Sequence, residues 1–153
     1  MSLATDSIFV TALQSNSDLL EKLTEYIDDD GNIQYDETPR LYGTAIGLPD
    51  DDADNVPVPY VIVTFDGLTN DQGTKDDRYE TDYDKVEIGV EVTGRTLDEL
   101  HDLTQTVRDT ILIYMRSHIT AVDDYSFKAE GIQYDSLKPC YWQVLRYQCE
   151  TNN

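Results

Sequence analysis

The feature that most constrains the fold of this chain is a regular alternation of apolar and polar residues that leads directly into a capped helix. Between about Tyr79 and Thr93, successive residues fall on opposite sides of a strand. One side carries Val86, Ile88, Val90 and Val92, and the other carries Lys85, Glu87, Gly89 and Glu91. This alternation predicts a strand with one face on a core and the other face in water or on a partner.

A long helix is predicted immediately after this strand. Thr96 and Glu99 have the spacing of a capping box, in which Thr96 is the N-cap and Glu99 the third helical residue. From there to about His118, apolar residues recur at helical spacing, namely Leu100, Leu103, Val107, Ile111, Tyr114 and Met115.

The first residues predict a broken helical segment. Apolar residues recur from Ser7 to about Ile27, but residues 16–18 interrupt the pattern and offer a second N-cap. We therefore expect two short helices or one kinked helix. The polar run 28–32 then predicts a turn that closes a small hairpin between residues 26–27 and 33–35.

Three further segments have the composition of strands. Residues 60–65 are apolar on both sides, as in a buried central strand, and Pro59 stands where a strand can begin. Residues 126–134 and 140–149 predict two more strands, and residues 40–43 predict a short extended piece.

Together these elements predict one α+β domain over residues 1–153. Its antiparallel sheet has about four to five strands, with the N-terminal helix and the one long helix packed on one face. Two loops interrupt the pattern: residues 47–59, with three prolines and four aspartates, and residues 66–77, which are polar and contain glycine. We expect residues 66–77 to be a flexible loop or arm that reaches a neighbouring subunit.

The net charge of the chain argues against two classes of function. Eleven Lys and Arg stand against 31 Asp and Glu, which gives a formal net charge of -20. This balance argues against wrapping nucleic acid and against docking on anionic lipid, because both need basic residues. Asp accounts for 22 of the 31 acids. Such a surface suits a very salty medium, repulsion of DNA, or an acidic protein kept soluble by its charge.

Neither a membrane-spanning segment nor a signal peptide is expected. No stretch approaches the ~18 apolar residues that a transmembrane helix needs, and the first residues lack a basic region and a long apolar run.

The acidic runs were compared with a calcium-binding loop. Asp28, Asp30 and Asn32 fall at positions 1, 3 and 5 of an EF-hand, but position 6 is Ile33 instead of Gly and position 12 is Pro39 instead of Glu. The run beginning at Asp50 fails at the same two positions. We predict no metal site beyond weak, opportunistic cation binding.

No motif predicts catalysis or a cofactor. His101 and His118 are too far apart to share a helical turn, and neither nucleotide-binding glycine motif is present. Cys140 and Cys149 are about 30 Å apart if both lie on one strand, at ~3.3 Å per residue, which is beyond disulfide reach. We expect buried free thiols in a reducing compartment, and no enzyme.

The aromatic residues suggest an interface. The chain has 11 Tyr and one Trp, and such side chains are favoured where a surface is half wet, although a Tyr-rich sheet on its own helices is an equal alternative. In the last strand Tyr141 and Trp142 lie on opposite sides, and neither side is plainly polar. Because the helices can cover only one face of the sheet, a partner subunit is the simplest way to cover the other face.

This layout resembles a known family. The segments that carry the resemblance are the N-terminal helix with Ile8, Leu13, Leu19 and Leu20, residues 40–42, the strand after Pro59, the strand 86–92, the helix 97–115 and the closing pair of strands. Over residues 7–150 the chain resembles the tail terminator or tail completion proteins of long-tailed bacterial and archaeal viruses, and their neck-region relatives.

The resemblance implies a structural virion protein without catalytic residues. It implies a protomer that assembles with itself into a ring, commonly a hexamer, at the head–tail junction, where it caps the tail-tube protein and meets a head connector or neck protein. DNA would pass through an acidic lumen without specific binding, and the ring would be assembled in the host cytoplasm. The candidate interface or lumen residues are Asp50, Asp51, Asp52, Asp54, Asp71, Asp76, Asp77, Arg78, Tyr141 and Trp142.

Two other classes of protein stay open. An acidic DNA mimic, or another protein-binding inhibitor, would also carry this charge, but it should hold its carboxylates on a rigid face, whereas many Asp here fall in loops with Gly and Pro. An enzyme is the third class, and no specific motif supports it.

Overall fold

Six strands form one sheet, and helices pack on one side of it. The structure is a computed structural model that describes residues 5–44, 47, 56–71, 83–117 and 124–152. The helices in this part of the chain are α1 (Thr5–Gln14), α2 (Ser17–Lys22) and α3 (Leu97–Ser117). The strands are β1 (Glu25–Ile27), β2 (Ile33–Tyr35), β3 (Leu41–Gly43), β4 (Val61–Asp71), β5 (Tyr83–Gly94), β6 (Asp124–Ala129), β7 (Gln133–Asp135) and β8 (Cys140–Asn152).

The order of the strands in the main sheet is β3-β4-β5-β8-β6, and β7 pairs with the other end of β8. β1 and β2 form a separate two-stranded antiparallel hairpin. β3 runs parallel to β4, whereas the other neighbouring strands of the main sheet are antiparallel. The prediction of an α+β fold is therefore confirmed, but the sheet is larger than expected and mixed.

The alternation of β5 decides which face of the sheet is buried. Val63, Val90 and Leu145 stand opposite one another on β4, β5 and β8, and all three are fully buried. The helices cover this face, because the same core contains Phe9 of α1 and Leu103 of α3. The helices and the alternating strand thus lie as the sequence predicts.

The N-terminal helical segment is broken as expected, and the residue that caps its second part is Asn16. Its side-chain Oδ1 accepts hydrogen bonds from the backbone N–H groups of Asp18 and Leu19, at 3.1 and 3.2 Å. Its Nδ2 donates to the hydroxyl of Thr110 on α3, at 2.9 Å. Asn16 therefore both starts α2 and ties it to the long helix.

The start of α3 uses half of the predicted capping box. The hydroxyl of Thr96 accepts a hydrogen bond from the backbone N–H of Glu99, at 3.1 Å, as predicted. The Glu99 carboxylate, however, accepts from the backbone N–H of Arg95, at 2.9 Å, and also binds the Arg95 guanidinium. The return contact is thus made one residue earlier than in the standard motif.

Two boundaries differ from the sequence prediction. Asp66 is an extra residue in a bulge of β4, after which pairing with β5 continues to Asp71. Residues 66–71 are therefore strand and not the beginning of a loop, because ladder hydrogen bonds come from the backbone and need no apolar pattern. The rest of the predicted arm lies outside the described residues. The single strand predicted over 126–134 is two strands, β6 and β7, separated around Gly131.

Candidate functional site

Most of the charged residues predicted to line an interface or lumen lie outside the part of the chain that the structure describes. These are Asp50, Asp51, Asp52, Asp54, Asp76, Asp77 and Arg78. Asp71 is the last residue of β4, where its backbone pairs with Tyr83.

Tyr141 and Trp142 occupy opposite faces of β8. Tyr141 packs against the core below the helices and contacts Tyr134 of β7, with ring centroids 4.9 Å apart and the rings tilted at 53°. Trp142 lies on the other face and is half-buried. The two residues do not form one contact surface, and only Trp142 belongs to the face that the helices leave open.

The open face of the sheet has an apolar strip with a carboxylate in it. Ile62, Glu91 and Val144 stand opposite one another on β4, β5 and β8, and all three are half-buried. Burial raises the pKa of the Glu91 carboxyl above its usual range. Burial of this carboxyl in its charged form destabilises the isolated subunit. Hydrogen bonds to the charged form would offset this destabilisation.

The neighbouring part of the same face is charged and organised around a glycine. Arg146 pairs with Asp66 at 2.6 Å and with Glu130 at 2.8 Å. Gly89 lies beneath this cluster, where a Cβ atom would approach Asp66 Oδ2 to 2.4 Å and Thr64 Oγ1 to 3.1 Å. The open face thus consists of a half-apolar strip beside an ion-pair network.

The β1–β2 hairpin is fixed to the body of the protein by Arg40, which is only 2% exposed. Its guanidinium donates to the carbonyl oxygens of Pro59, at 2.9 Å, and Thr24, at 3.1 Å, and to the carbonyl of Glu25. It also pairs with the Asp36 carboxylate at 2.5 Å. An isolated two-stranded hairpin is marginal in water, and these contacts explain why this one has a defined position.

The two faces of this hairpin differ in what they contact. Tyr26 lies over Arg40, with the guanidinium 5.5 Å from its ring centroid. On the opposite face are Ile27, Ile33 and Tyr35, which are 49%, 57% and 66% exposed. Three large apolar side chains therefore share one outward face, which we call the hairpin patch. The hairpin was predicted from the sequence, but its patch was not, although these residues alternate around the turn.

Exposed apolar side chains recur at two other places. Ile113 on α3 is 65% exposed. Ile132, Tyr134 and Leu137 flank or belong to β7, and Leu137 is 95% exposed at the tip of a turn. This turn is held by Asp135, whose Oδ1 accepts from the backbone N–H groups of Leu137 and Lys138. Single exposed apolar residues are ordinary, but groups of them on fixed elements indicate contact surfaces.

The few basic residues are mostly occupied within the subunit. Those that bind carboxylates or carbonyl oxygens are Lys22, Arg40, Arg95, Lys138 and Arg146. Three others are exposed and hold no carboxylate within the described ranges: Arg108, Arg116 and Lys128. Arg108 lies over the ring of Phe127, 4.4 Å from its centroid.

In the first of the two acidic runs, the carboxylate of Asp28 has a role in the fold. Asp28 Oδ1 accepts from the backbone N–H groups of Asp30 and Asn32, at 3.0 and 2.8 Å, and its Oδ2 accepts from Gln34 at 3.1 Å. These contacts, the Asn32 N–H above all, lower the Asp28 pKa. The Asp28 carboxylate thus closes the hairpin turn. Among the described residues, no group of three or more His, Cys, Asp or Glu could hold a metal ion.

The two cysteines are buried near opposite ends of β8, and no disulfide joins them. Burial is the main reason that the pKa of the Cys140 thiol is raised. A raised pKa keeps the thiol protonated and so lowers its reactivity as a nucleophile. That the protein is not an enzyme stays a prediction.

None of the helices among the described residues is both long enough and apolar enough to cross a membrane.

Comparison with known proteins gives a likeness of fold. No protein-family model matches the sequence, and no curated protein matches it. The fold is similar to that of a chain in the solved structure "Virion of native gene transfer agent (GTA) particle", with a TM-score of 0.58. The match covers 97% of this chain and 94% of that chain, at 10% sequence identity. The two chains therefore share a fold over almost their whole lengths.

Proposed function

We propose that this protein is a structural component of a virus-like particle. The observation that carries the proposal is the fold shared with a chain of a gene transfer agent virion, over nearly the whole of both chains. A match over nearly the whole of both chains favours a common role for the complete domain. A match over a fragment of the fold would be weaker support. In this proposal the chain binds other virion components and has no catalytic role.

The finer proposal is a tail terminator or tail completion protein. In this role copies of the chain form a ring, of six subunits by analogy with the family that the layout resembles, at the head–tail junction of the virion. The ring caps the tail-tube protein and meets a head connector or neck protein. Fixed elements with outward apolar side chains, such as the hairpin patch and the Leu137 turn, support a chain that makes several protein contacts.

The net charge of the chain supports a ring through which DNA passes more than a ring that binds DNA tightly. With a net charge of -20, the chain repels the phosphate backbone, and a ring of such subunits would let DNA slide through its lumen. Among the described residues, the basic side chains that bind carboxylates are neutralised within the subunit. We therefore propose that DNA is a neighbour of the ring and not a specific ligand.

The virion role is tested by quantitative mass spectrometry of purified particles from the virus that encodes this chain. We expect the protein to be present at a small, fixed number of copies for each particle, because a ring occupies one level of the tail. Its absence from purified particles would overturn the virion role.

The terminator role needs a second test with the tail-tube protein of the same virus. Electron microscopy of tubes grown with a gold-labelled sample of this protein should show shorter tubes, with the label at one end of each tube. Tubes of unchanged length without end label would contradict a terminator. A monomer that instead binds a restriction or repair enzyme would support the acidic DNA-mimic alternative.

A further inference from the structure

The hairpin patch is an apolar surface surrounded by acid. A groove beside Tyr35 is lined by Asp18, Glu21, Lys22 and Glu25. Lys22 in this groove is already paired with Asp102, at 2.8 Å, whereas the carboxylates of Asp18 and Glu21 are exposed. Asp29 and Asp30 are exposed at the turn of the hairpin. The surface that fits the hairpin patch must therefore offer apolar side chains together with a positive charge.

Such a surface lies on the outer side of α3. Ile113 is 65% exposed, and Arg116 follows it by three residues, which places both side chains on the same side of the helix. Arg116 is exposed and makes no ion pair with any residue in the described ranges. The chain has 11 basic residues against 31 acidic ones. An exposed arginine that has no ion pair within the described ranges therefore offers a positive charge to a partner, here beside an exposed isoleucine. We call Ile113 and Arg116 the helix surface.

The helix surface cannot reach the hairpin patch of its own subunit. The hairpin lies at the N-terminal end of α3, since Glu25 of β1 contacts Arg95, which binds Glu99. Ile113 is fourteen residues beyond Glu99, so about 21 Å of helix separates the two surfaces. Both elements are fixed to the core, and each surface is therefore available to a different copy of the chain.

We propose that the hairpin patch of one subunit packs on the helix surface of the next subunit. Ile27, Ile33 and Tyr35 meet Ile113, and Arg116 enters the acidic groove beside Tyr35. The contact joins two different surfaces, so each subunit keeps one of each for a further neighbour, and repetition around an axis closes a ring. This inference rests on the proposed function and deepens it, because it assigns the subunit-to-subunit interface of the ring.

The inference is tested by placing a carboxylate in each surface. Ile33→Asp and Ile113→Asp are each expected to raise the dissociation constant for assembly by about 30-fold or more, the factor typical of a buried contact at the centre of an interface. Thr11→Asp is the matched control, since it adds the same charge at an exposed residue of α1 that belongs to neither surface. Light scattering measures the mass, and circular dichroism checks that each variant is folded.

Mixing the two variants distinguishes a contact between unlike surfaces from a contact between like surfaces. Ile33→Asp keeps its helix surface, and Ile113→Asp keeps its hairpin patch, so an equimolar mixture has one intact pair of surfaces. We expect a one-to-one heterodimer that does not grow into a ring. If either variant alone forms dimers through its intact surface, the contact joins like surfaces and the proposed pairing is wrong.

The remaining outcomes separate this inference from the proposed function. Rings formed by the wild-type protein and by both variants would overturn the assigned interface and leave the ring itself standing. Equal loss of assembly in all three variants, with Thr11→Asp included, would show a general effect of added charge and would also overturn it. A wild-type protein that stays monomeric with and without tube protein would contradict both the interface and the ring.

Discussion

At the scale of single residues, Arg40 determines where the hairpin patch is presented. A charged side chain that is almost fully buried is tolerated only when it is paired and hydrogen-bonded. Arg40 meets this condition because its planar guanidinium serves three carbonyl oxygens and one carboxylate at once. Lysine has no such fork of donors, so it would not replace arginine here.

We predict that Arg40→Ala lowers the free energy of unfolding by about 3 kcal/mol, because it leaves buried carbonyl oxygens and Asp36 without their partner. Urea denaturation followed by circular dichroism measures the loss. Arg108→Ala is the control, because it removes an exposed arginine that contacts one aromatic ring and is expected to cost at most about 1 kcal/mol. Equal losses in the two variants would show that the Arg40 contacts contribute little.

Glu91 is a second residue whose setting has a measurable consequence. Its pKa is raised by burial above the ordinary value of 4.5, so the folded protein holds this proton more tightly than the unfolded chain does. Below pH 4.5 the side chain is mostly neutral in both states and carries no penalty. As the pH rises through the raised pKa, the folded state is destabilised relative to the unfolded state.

We therefore predict that Glu91→Gln makes the protein more stable at pH 8, and that this advantage shrinks as the pH falls toward 4. Urea midpoints measured across this range for both proteins give the difference. Glu87→Gln is the matched control, since Glu87 is exposed on the same side of β5, four residues earlier. An advantage for Glu91→Gln that did not change with pH would contradict the assigned role of burial.

At the scale of secondary structure, the link between β5 and α3 is a close contact between backbones. A Cβ atom on Gly94 would lie 2.7 Å from the backbone nitrogen of Leu100 and 2.9 Å from its Cα. These are backbone atoms of a helix, which cannot give way as a flexible side chain would. Only glycine allows α3 to begin so close to the strand that precedes it.

Gly94→Ala is accordingly predicted to lower the free energy of unfolding by about 2 kcal/mol or more, because α3 must shift on the core. For a chain of this size that loss corresponds to a Tm lower by about 4–8 °C, which calorimetry measures. Gly131→Ala is the control, since nothing lies within 4 Å of its added Cβ atom. A Tm for Gly94→Ala close to that of Gly131→Ala would show that the junction is looser than described.

The same scale shows which parts of the fold a sequence can predict. The alternation along β5 and the cap at Thr96 are local patterns, and both led to the observed elements. The parallel pairing of β3 with β4 is not a local pattern, since a strand of three residues has no periodicity and its partner lies on the far side of a long loop. Residues 66–71 were missed because polar strands are held by backbone pairing.

The candidate site was less predictable than the fold. Seven of the ten predicted residues, in the segments 50–54 and 76–78, lie outside the described residues, and their role stays a prediction. Burial is a property of the folded chain, so the contrast between buried Arg40 and exposed Arg116 was not visible beforehand. The outward face of the hairpin was not visible beforehand either, because it is defined by the contact of Tyr26 with Arg40 on the opposite face.

At the scale of the whole molecule, charge opposes assembly. Each subunit carries a formal charge of -20, so neighbouring subunits repel one another in dilute salt. Salt shortens the range of this repulsion from roughly 10 Å at 0.1 M to roughly 3 Å at 1 M. It also weakens cross-subunit ion pairs, but one arginine for each interface is a small term beside the net charge.

We therefore predict that assembly is stronger in 1 M salt than in 0.05 M salt. Sedimentation velocity at one protein concentration across a salt series measures the fraction of assembled protein. Assembly that weakens steadily as salt is added would mean that ion pairs, and not apolar contacts against a repulsive background, dominate the interface.

The central claim is that this chain is a ring-forming structural subunit, and the mass of the native protein tests it most directly. Light scattering on the purified protein in 1 M salt should give a closed oligomer, and six subunits of 17.4 kDa correspond to about 104 kDa. A mass of 17.4 kDa at every salt and protein concentration, with tube protein present or absent, would contradict the claim.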